Sequence, residues 1–148
     1  MSFELTKSFI LPTIIALFLA YIAWQQMRIN DRKLRLDLYN KRFEIYTDTL
    51  KFYQELIGEE LTKETHLKFV NSKEAALFLF SSDPEIYKIL DEIHARSFKI
   101  TGFKKNNKSL TGAPDIMMEA YKEMEQALSW IMAKAPVLQK RFKKFLSL

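Results

Sequence analysis

The feature that most constrains this chain is an uncharged run near its start, Phe9 to Trp24 (FILPTIIALFLAYIAW). A bilayer core of about 30 Å is crossed by roughly 20 helical residues, and polar neighbours can extend the run to that length. Pro12 falls in the first turn of such a helix, where its missing N–H costs little. Tyr21 and Trp24 take the interfacial position that amphipathic rings favour. The run therefore predicts a retained transmembrane anchor over residues 1–27.

The same run would also suit a buried core helix or a cleaved signal peptide. A signal peptide is disfavoured because Glu4 offsets Lys7 in the leader and no small-residue cleavage site follows. The excess of Lys and Arg begins at Arg28 and continues to residue 42. By the positive-inside rule, residues 28–148 are cytosolic and the N-terminus lies outside, as in a single-pass inner-membrane protein. Tyr21, Trp24 and Arg28 are the predicted membrane-interface residues.

Composition favours helices in the cytosolic part. The chain has 148 residues, of which 48% are hydrophobic, with three glycines, four prolines and no cysteine. Few turn residues indicate long helices, and the lack of cysteine excludes disulfides and thiolate metal sites. We predict an all-α fold in which the transmembrane helix continues as a long cytosolic helix to about Gly58. About four or five further helices pack with it as a bundle.

Capping and helix-breaking residues divide the rest of the chain. The run EAALFLF, Glu74 to Phe80, reads as a short helix buried on nearly every side, although its length also suits a strand. Pro136 is expected to break or kink the last helical pattern and so to create a separate basic C-terminal helix. Helix starts are predicted at Thr62 (capped with Thr65), Ser72, Ser82-Asp83-Pro84 and Pro114, and helix ends at Val70, Phe80, Gly102 and Ala135.

A heptad pattern runs along the long cytosolic helix, with Leu or Phe at one position, followed at the end by Ile57, and Tyr at the other. This seam comprises Leu36, Tyr39, Phe43, Tyr46, Leu50, Tyr53 and Ile57. A second line, Leu38, Ile45 and Phe52, widens the apolar face. Burial in a monomeric bundle would explain the pattern, and so would self-association. Because a helix packed on its own domain and on a sister subunit would use both lines, we take the seam as the predicted homo-oligomer interface.

Catalytic chemistry finds little support in the sequence. His66 and His94 lack a second ligand at metal-binding spacing, so surface or structural roles are expected. Asp91 lies three residues before His94, which leaves a hydrolase as the third and least favoured hypothesis. No phosphate-cradling glycine motif occurs. We therefore predict a protein that is not an enzyme, with no metal and no cofactor.

Two basic islands, residues 99–108 and 139–148, are the remaining features of interest. The first is predicted as a loop that could hold an anion at the start of a helix, and the simpler interpretation is a solvated loop. The predicted anion- or nucleotide-binding residues are Lys99, Lys104, Lys105, Lys108 and Arg42. The second island lies on the C-terminal helix, which either caps the bundle or rests on the membrane.

The order of these parts resembles small single-span bacterial membrane proteins with a cytosolic helical domain. The residues that carry the resemblance are LYNKRFEIY (Leu38 to Tyr46), EAALFLF (Glu74 to Phe80) and EIYKILDEI (Glu85 to Ile93). More loosely, the architecture is similar to membrane effectors of bacterial anti-phage defence, in which a cytosolic domain oligomerises and senses a nucleotide or oligonucleotide. That likeness implies an anionic ligand for the basic islands and a ring of membrane spans.

Two functions follow as expectations. The first is a self-associating membrane protein that acts as a pore-forming or membrane-disrupting effector under the control of an anionic nucleotide-type signal. Since one span cannot line a channel, several copies would be needed, with Thr13, Tyr21 and Gln25 as the polar lining. The alternative is a membrane-tethered adaptor that holds a partner protein at the inner membrane.

Overall fold

The computed structural model describes the backbone of residues 2–58 and 60–147, and the side chains of 12–58, 60–109 and 111–147. It contains four α-helices: α1 (Ser2–Ile57), α2 (Lys63–Leu79), α3 (Pro84–Asn106) and α4 (Pro114–Leu146), with a 3₁₀ turn at Ser109–Gly112 between the last two. No strand occurs in the described backbone, so the all-α prediction is confirmed. The number of helices is smaller than predicted, since three α-helices and not four or five follow α1.

The chain divides into two compact units, Met1–Leu38 and Tyr39–Leu148. The first unit is helical and belongs to α1. From Pro12 to Asp37 its side chains are exposed, apart from a half-buried Ile22. Because α1 begins at Ser2, Pro12 lies inside the helix and not in its first turn.

The predicted membrane span falls in this first unit. Among the residues whose side chains are described, no helix combines the length and the apolar character that crossing a membrane requires. Residues 1–11 of the predicted anchor, which include Phe9 to Leu11 of its apolar run, lie outside that set.

The helices of the second unit are longer than we predicted from the capping residues. Thr62 caps α2 as expected, accepting a bond from the Thr65 N–H at 3.3 Å, but α2 then continues past Val70 and Ser72 to Leu79. Leu77 and Phe78 are exposed, so the run from Glu74 to Phe80 is not buried on every side. Ser72 does not begin a new helix, because one continuous helix places both Phe69 and Ala76 in the core.

Two predicted helix ends, at Gly102 and before Pro136, are wrong. α3 continues to Asn106 because an interior glycine costs only about 1 kcal/mol relative to alanine. Beyond Gly102, Phe103 packs edge-on against Tyr121 of α4, with ring centroids 5.8 Å apart. α4 continues through Pro136 to Leu146, with Leu138 and Phe142 buried, so no separate C-terminal helix forms. The predicted starts at Pro84 and Pro114 are confirmed.

A single apolar core holds the second unit together. Stacked rings of Phe52 and Phe69, with centroids 3.9 Å apart, join α1 to α2, and Phe80 meets Phe142 edge-on at 5.2 Å. The buried apolar residues are Ile45, Phe52, Leu56, Phe69, Ala76, Phe80, Ile86, Ile89, Leu90, Ile93, Ile100, Ala127, Ile131, Leu138 and Phe142. All four helices contribute, and this core is what positions the polar groups described next.

Candidate functional site

Lys104 is predicted to bind an anion, but its ammonium group lies against backbone carbonyls. Its Nζ donates to the Leu56 carbonyl at 2.8 Å and to the Gly58 carbonyl. These carbonyls close the C-terminus of α1, where the helix dipole favours a cation. Lys104 therefore acts first as a cap of α1. The predicted end of α1 near Gly58 is confirmed. A glycine suits this position, because a Cβ there would lie only 3.0 Å from the Gln54 carbonyl oxygen.

Arg42 has a comparable structural role at the end of α2. Its Nε donates to the Leu79 carbonyl at 2.9 Å, and its guanidinium lies over the rings of Phe80 and Phe145, 5.7 and 5.0 Å from their centroids. Lys99 lies 3.7 Å from the Glu123 carboxylate, with both side chains about half exposed. The five predicted anion ligands are thus not gathered at one site.

Lys104 and Lys105 do share a cleft, with residues that were not among the predicted anion ligands. This cleft, which we call the α2–α3 cleft, has a volume of about 590 Å³. It is lined by Glu60, Leu61, Thr62, Lys63, His66, Ser97, Phe98, Thr101, Lys104 and Lys105. In the part of the chain that the structure describes, the ammonium groups of Lys63, Lys105 and Lys108 make no ion pair or hydrogen bond. Lys108 lies outside the cleft lining.

A histidine pair lies beside this cleft. His66 on α2 and His94 on α3 meet with their Nε2 atoms 3.0 Å apart, among the rings of Phe52, Phe69 and Phe98. The sequence predicted separate surface or structural roles for the two histidines, because a separation of 28 residues is not a metal-ligand spacing. No local spacing in the sequence indicates that they meet.

The environment of His94 favours its neutral form. Burial lowers the pKa of His94 below its usual value, and the nearby positive charge of Lys73 and the coupling to His66 lower it further. Asp91 and Glu74 oppose this shift. With His94 neutral, one of the two facing Nε2 atoms carries a hydrogen and the other accepts it, so that the pair forms one hydrogen bond.

Asp91, the partner proposed for His94 in a hydrolase, bonds a lysine instead. Its Oδ1 accepts from Lys73 Nζ at 2.6 Å, and Glu74 lies 2.8 Å from the same ammonium. Burial alone would lower the pKa of Lys73, but hydrogen bonds to Asp91 and Glu74 outweigh it and raise the pKa to about 12. Within the described residues no cluster of three or more His, Asp or Glu could hold a metal ion.

The seam and the second apolar line of α1 lie on different faces in the structure. Ile45 and Phe52 of the second line are buried in the core, and Leu38 is half-buried. The seam is divided: Leu36, Phe43, Leu50 and Ile57 are exposed, whereas Tyr39, Tyr46 and Tyr53 are half-buried, and Tyr46 and Tyr53 pack against the core. An apolar groove of about 270 Å³ between α1 and α4 adjoins it and includes Tyr46, Leu50 and Tyr53.

The three predicted interface residues lie together on α1. The Gln25 amide donates to the Tyr21 hydroxyl at 2.7 Å, Tyr21 and Trp24 have ring centroids 6.3 Å apart, and the Arg28 guanidinium lies 4.9 Å from the Trp24 ring centroid. A basic group over an indole ring is the arrangement that a cation–π contact requires.

Comparisons with known proteins supply no assignment. No protein-family model, curated protein or solved structure matches this chain at a significant level. Its function is therefore inferred from the residues and the geometry.

Proposed function

We propose that this protein is a non-enzymatic, membrane-tethered helical protein whose copies associate through the seam of α1. The observation that carries the proposal is the separation of the two apolar lines. The core of the monomer uses Ile45 and Phe52, whereas the seven-residue repeat of Leu36, Phe43, Leu50 and Ile57 remains exposed. An exposed apolar row at heptad spacing is the pattern of a helix that pairs with a second helix.

The tether is supported by the first unit. Ile14, Leu17, Phe18 and Leu19 are all at least half exposed, and uncharged residues occupy every side of the helix there. A helix that is apolar all round requires apolar surroundings, which lipid supplies. Tyr21, Trp24 and Arg28 follow at the end of this stretch, in the order expected at a cytosolic membrane interface.

Seam association is tested on the full-length chain in a neutral detergent by light scattering after gel filtration. We expect Leu50→Glu to convert the oligomer to a monomer, because the charge interrupts the seam. Leu67→Glu is the matched control, since Leu67 is also an exposed leucine but lies on α2. A monomeric wild type, or an oligomer unaffected by Leu50→Glu, would contradict the proposal.

The tether is tested separately by fractionation of cells that express the intact chain. Leu17 and Leu34 are 68% and 69% exposed on the same helix, but only Leu17 lies in the predicted span. A lysine at the centre of a span costs about 2.5–3.5 kcal/mol of insertion free energy. Leu17→Lys should therefore move protein from the membrane fraction to the soluble fraction, and Leu34→Lys should not. Wild-type protein that stays wholly soluble would refute the tether.

Membrane disruption by the assembled spans is our preferred activity, in line with the resemblance to defence effectors. Tyr21 and Gln25 share one helix face, bonded at 2.7 Å, and could supply a polar lining where several copies meet. Reconstituted wild-type protein should release dye from lipid vesicles, and the Leu50→Glu variant should not.

An adaptor that holds a partner protein at the membrane is the second candidate. Phe78 on α2 favours it, because this large apolar side chain is 76% exposed and lies off the seam. Vesicles that remain sealed in the presence of the membrane-bound oligomer would support the adaptor over the pore.

A further inference from the structure

We propose that the α2–α3 cleft binds a nucleotide, with Lys63, His66 and Lys105 holding its phosphates and Phe98 stacking on its base. All of these residues belong to the second unit, so the inference does not rest on the membrane tether or on the seam. A cleft of about 590 Å³ is within the range that small-molecule sites occupy.

The charge balance of the lining favours an anion. Three lysines face the cleft, against one described carboxylate, that of Glu60. The Lys104 ammonium donates two hydrogen bonds to carbonyls at the end of α1. The ammonium groups of Lys63 and Lys105 make no ion pair or hydrogen bond among the described residues. Two uncommitted ammonium groups facing one concave surface form a site for phosphate oxygens.

The fold already places one carboxylate at this end of α2. Glu55 accepts hydrogen bonds from the Thr62 N–H at 3.0 Å, from the Thr62 hydroxyl at 2.9 Å and from the Thr65 hydroxyl at 2.8 Å. The bond from the Thr62 backbone, followed by that from Thr65, lowers the pKa of Glu55. Since Glu55 satisfies these donors, a bound phosphate would rely on the lysine and histidine side chains and not on the helix terminus.

His66 is placed to donate to a ligand in the cleft. Its Nε2 lies 3.0 Å from the Nε2 of His94. When His66 Nε2 accepts from the His94 Nε2–H, the Nδ1 of His66 carries the hydrogen and can donate it to a ligand in the cleft.

An exposed aromatic ring distinguishes this cleft from a simple phosphate site. Phe98 lines the cleft and is 54% exposed, and its ring meets the ring of His66 edge-on at 5.8 Å. The ring of His94 also meets Phe98 edge-on, at 5.0 Å, and the exposed half of Phe98 is available to a planar partner. Aromatic side chains beside basic groups are how proteins stack nucleobases while holding phosphates. The combination therefore indicates a nucleoside phosphate and not inorganic phosphate alone.

The test is calorimetric titration of the full-length chain in neutral detergent with ATP and with inorganic triphosphate, without added metal. Wild-type protein should bind ATP more tightly than triphosphate. Lys63→Gln and Lys105→Gln should each weaken ATP binding about tenfold, since each removes a charge-assisted hydrogen bond. Lys108→Gln is the matched control, because Lys108 belongs to the same basic island but does not line the cleft; it should bind as wild type does.

The Phe98→Leu variant tests whether Phe98 stacks on the nucleotide base. It should weaken ATP binding by about tenfold and leave triphosphate binding unchanged. The absence of ATP binding at millimolar concentration would overturn the proposal, and so would equal losses in Lys105→Gln and Lys108→Gln, which would show diffuse attraction. Equal affinity for ATP and triphosphate would overturn the nucleotide assignment. Light scattering on the same samples reports the oligomer independently, so failure of this proposal is distinguishable from failure of the seam.

Discussion

Two stretches of α1 use apolar residues in opposite ways. Between residues 12 and 37, large apolar side chains such as Leu17 and Phe18 are exposed, and only Ile22 is half-buried. Between residues 39 and 57, Ile45, Phe52 and Leu56 are buried in the core. Both stretches are helical, so helix formation is not what separates them. The difference lies in whether the fold supplies a partner for the apolar face.

The sequence pattern explains this difference. The run from Phe9 to Trp24 has no polar face, so no orientation of the helix hides its apolar surface from water. Residues 39–57 intersperse apolar positions with Lys, Arg, Asp and Glu, and the line of Ile45 and Phe52 packs in the core that α2, α3 and α4 complete. Apolar content alone therefore does not identify a core helix; the arrangement around the helix does.

The largest expected effect compares two phenylalanines on α1. Phe52 is 0% exposed and stacks on Phe69, whereas Phe18 is 61% exposed. Phe52→Ala should lower the free energy of unfolding by about 3–5 kcal/mol, because it leaves a cavity in the core. Phe18→Ala should change it by less than about 0.5 kcal/mol. Urea unfolding of the full-length chain, followed by circular dichroism, measures both. Equal losses would mean that the first stretch is packed within the fold.

The next largest effect concerns an ion pair inside the second unit. Arg141 of α4 donates to both carboxylate oxygens of Asp83 at 2.7 and 2.8 Å, ahead of the first turn of α3. Asp83→Asn should cost about 1.5–3 kcal/mol, since it leaves a partly buried guanidinium without its charged acceptor. Asp31→Asn, at an exposed aspartate of the first unit, is the control and should be neutral. An unchanged urea midpoint in Asp83→Asn would show that the pair contributes no net stability.

Much of the fold follows from local rules in the sequence. Proline at the first helical position correctly marks the starts of α3 and α4, and Thr62 correctly caps α2. The errors at Ser72, Gly102 and Pro136 share one cause. Each residue disfavours a helix interior by at most a few kcal/mol, and burial of neighbours such as Ile100 and Leu138 outweighs that cost. Tertiary packing of this kind is not visible in a local window.

The sites were harder to predict than the fold. Heptad spacing identified both apolar lines of α1, but periodicity does not say which line faces the core, and the core takes the line of Ile45 and Phe52. Charge counting identified the lysine island but not that Lys104 caps α1. The contact between His66 and His94 depends on how α2 packs on α3, which no spacing rule encodes.

A smaller effect separates two adjacent lysines of the second unit. Lys104→Gln should lower the unfolding free energy by about 1 kcal/mol, because the end of α1 loses its cationic cap at Leu56 and Gly58. Lys105→Gln should change stability by less than about 0.5 kcal/mol, since the exposed Lys105 makes no ion pair in the described structure. Thermal melts of the two variants provide the comparison. The reverse order would show that Lys105, and not Lys104, supports the fold.

The smallest expected effect is a pH dependence confined to the second unit. The pKa of His94 is lowered by burial, by Lys73 and by His66, against the opposing charges of Asp91 and Glu74. The unfolded chain therefore binds more protons than the folded chain as pH falls below about 6.5, so stability decreases in that direction. Thermal melts between pH 7.5 and 5.5 should show a small decrease in the melting temperature of the wild type, which His94→Gln largely removes.

Carboxyl groups do not account for a change in this pH window, because those with a shifted pKa, such as Glu55, have a lowered pKa and titrate below it. A slope that persists in His94→Gln would place the proton uptake on another group. A flat profile in wild type would mean that His94 is equally protonated in the folded and unfolded states, so that its half-buried position between α2 and α3 does not lower its pKa.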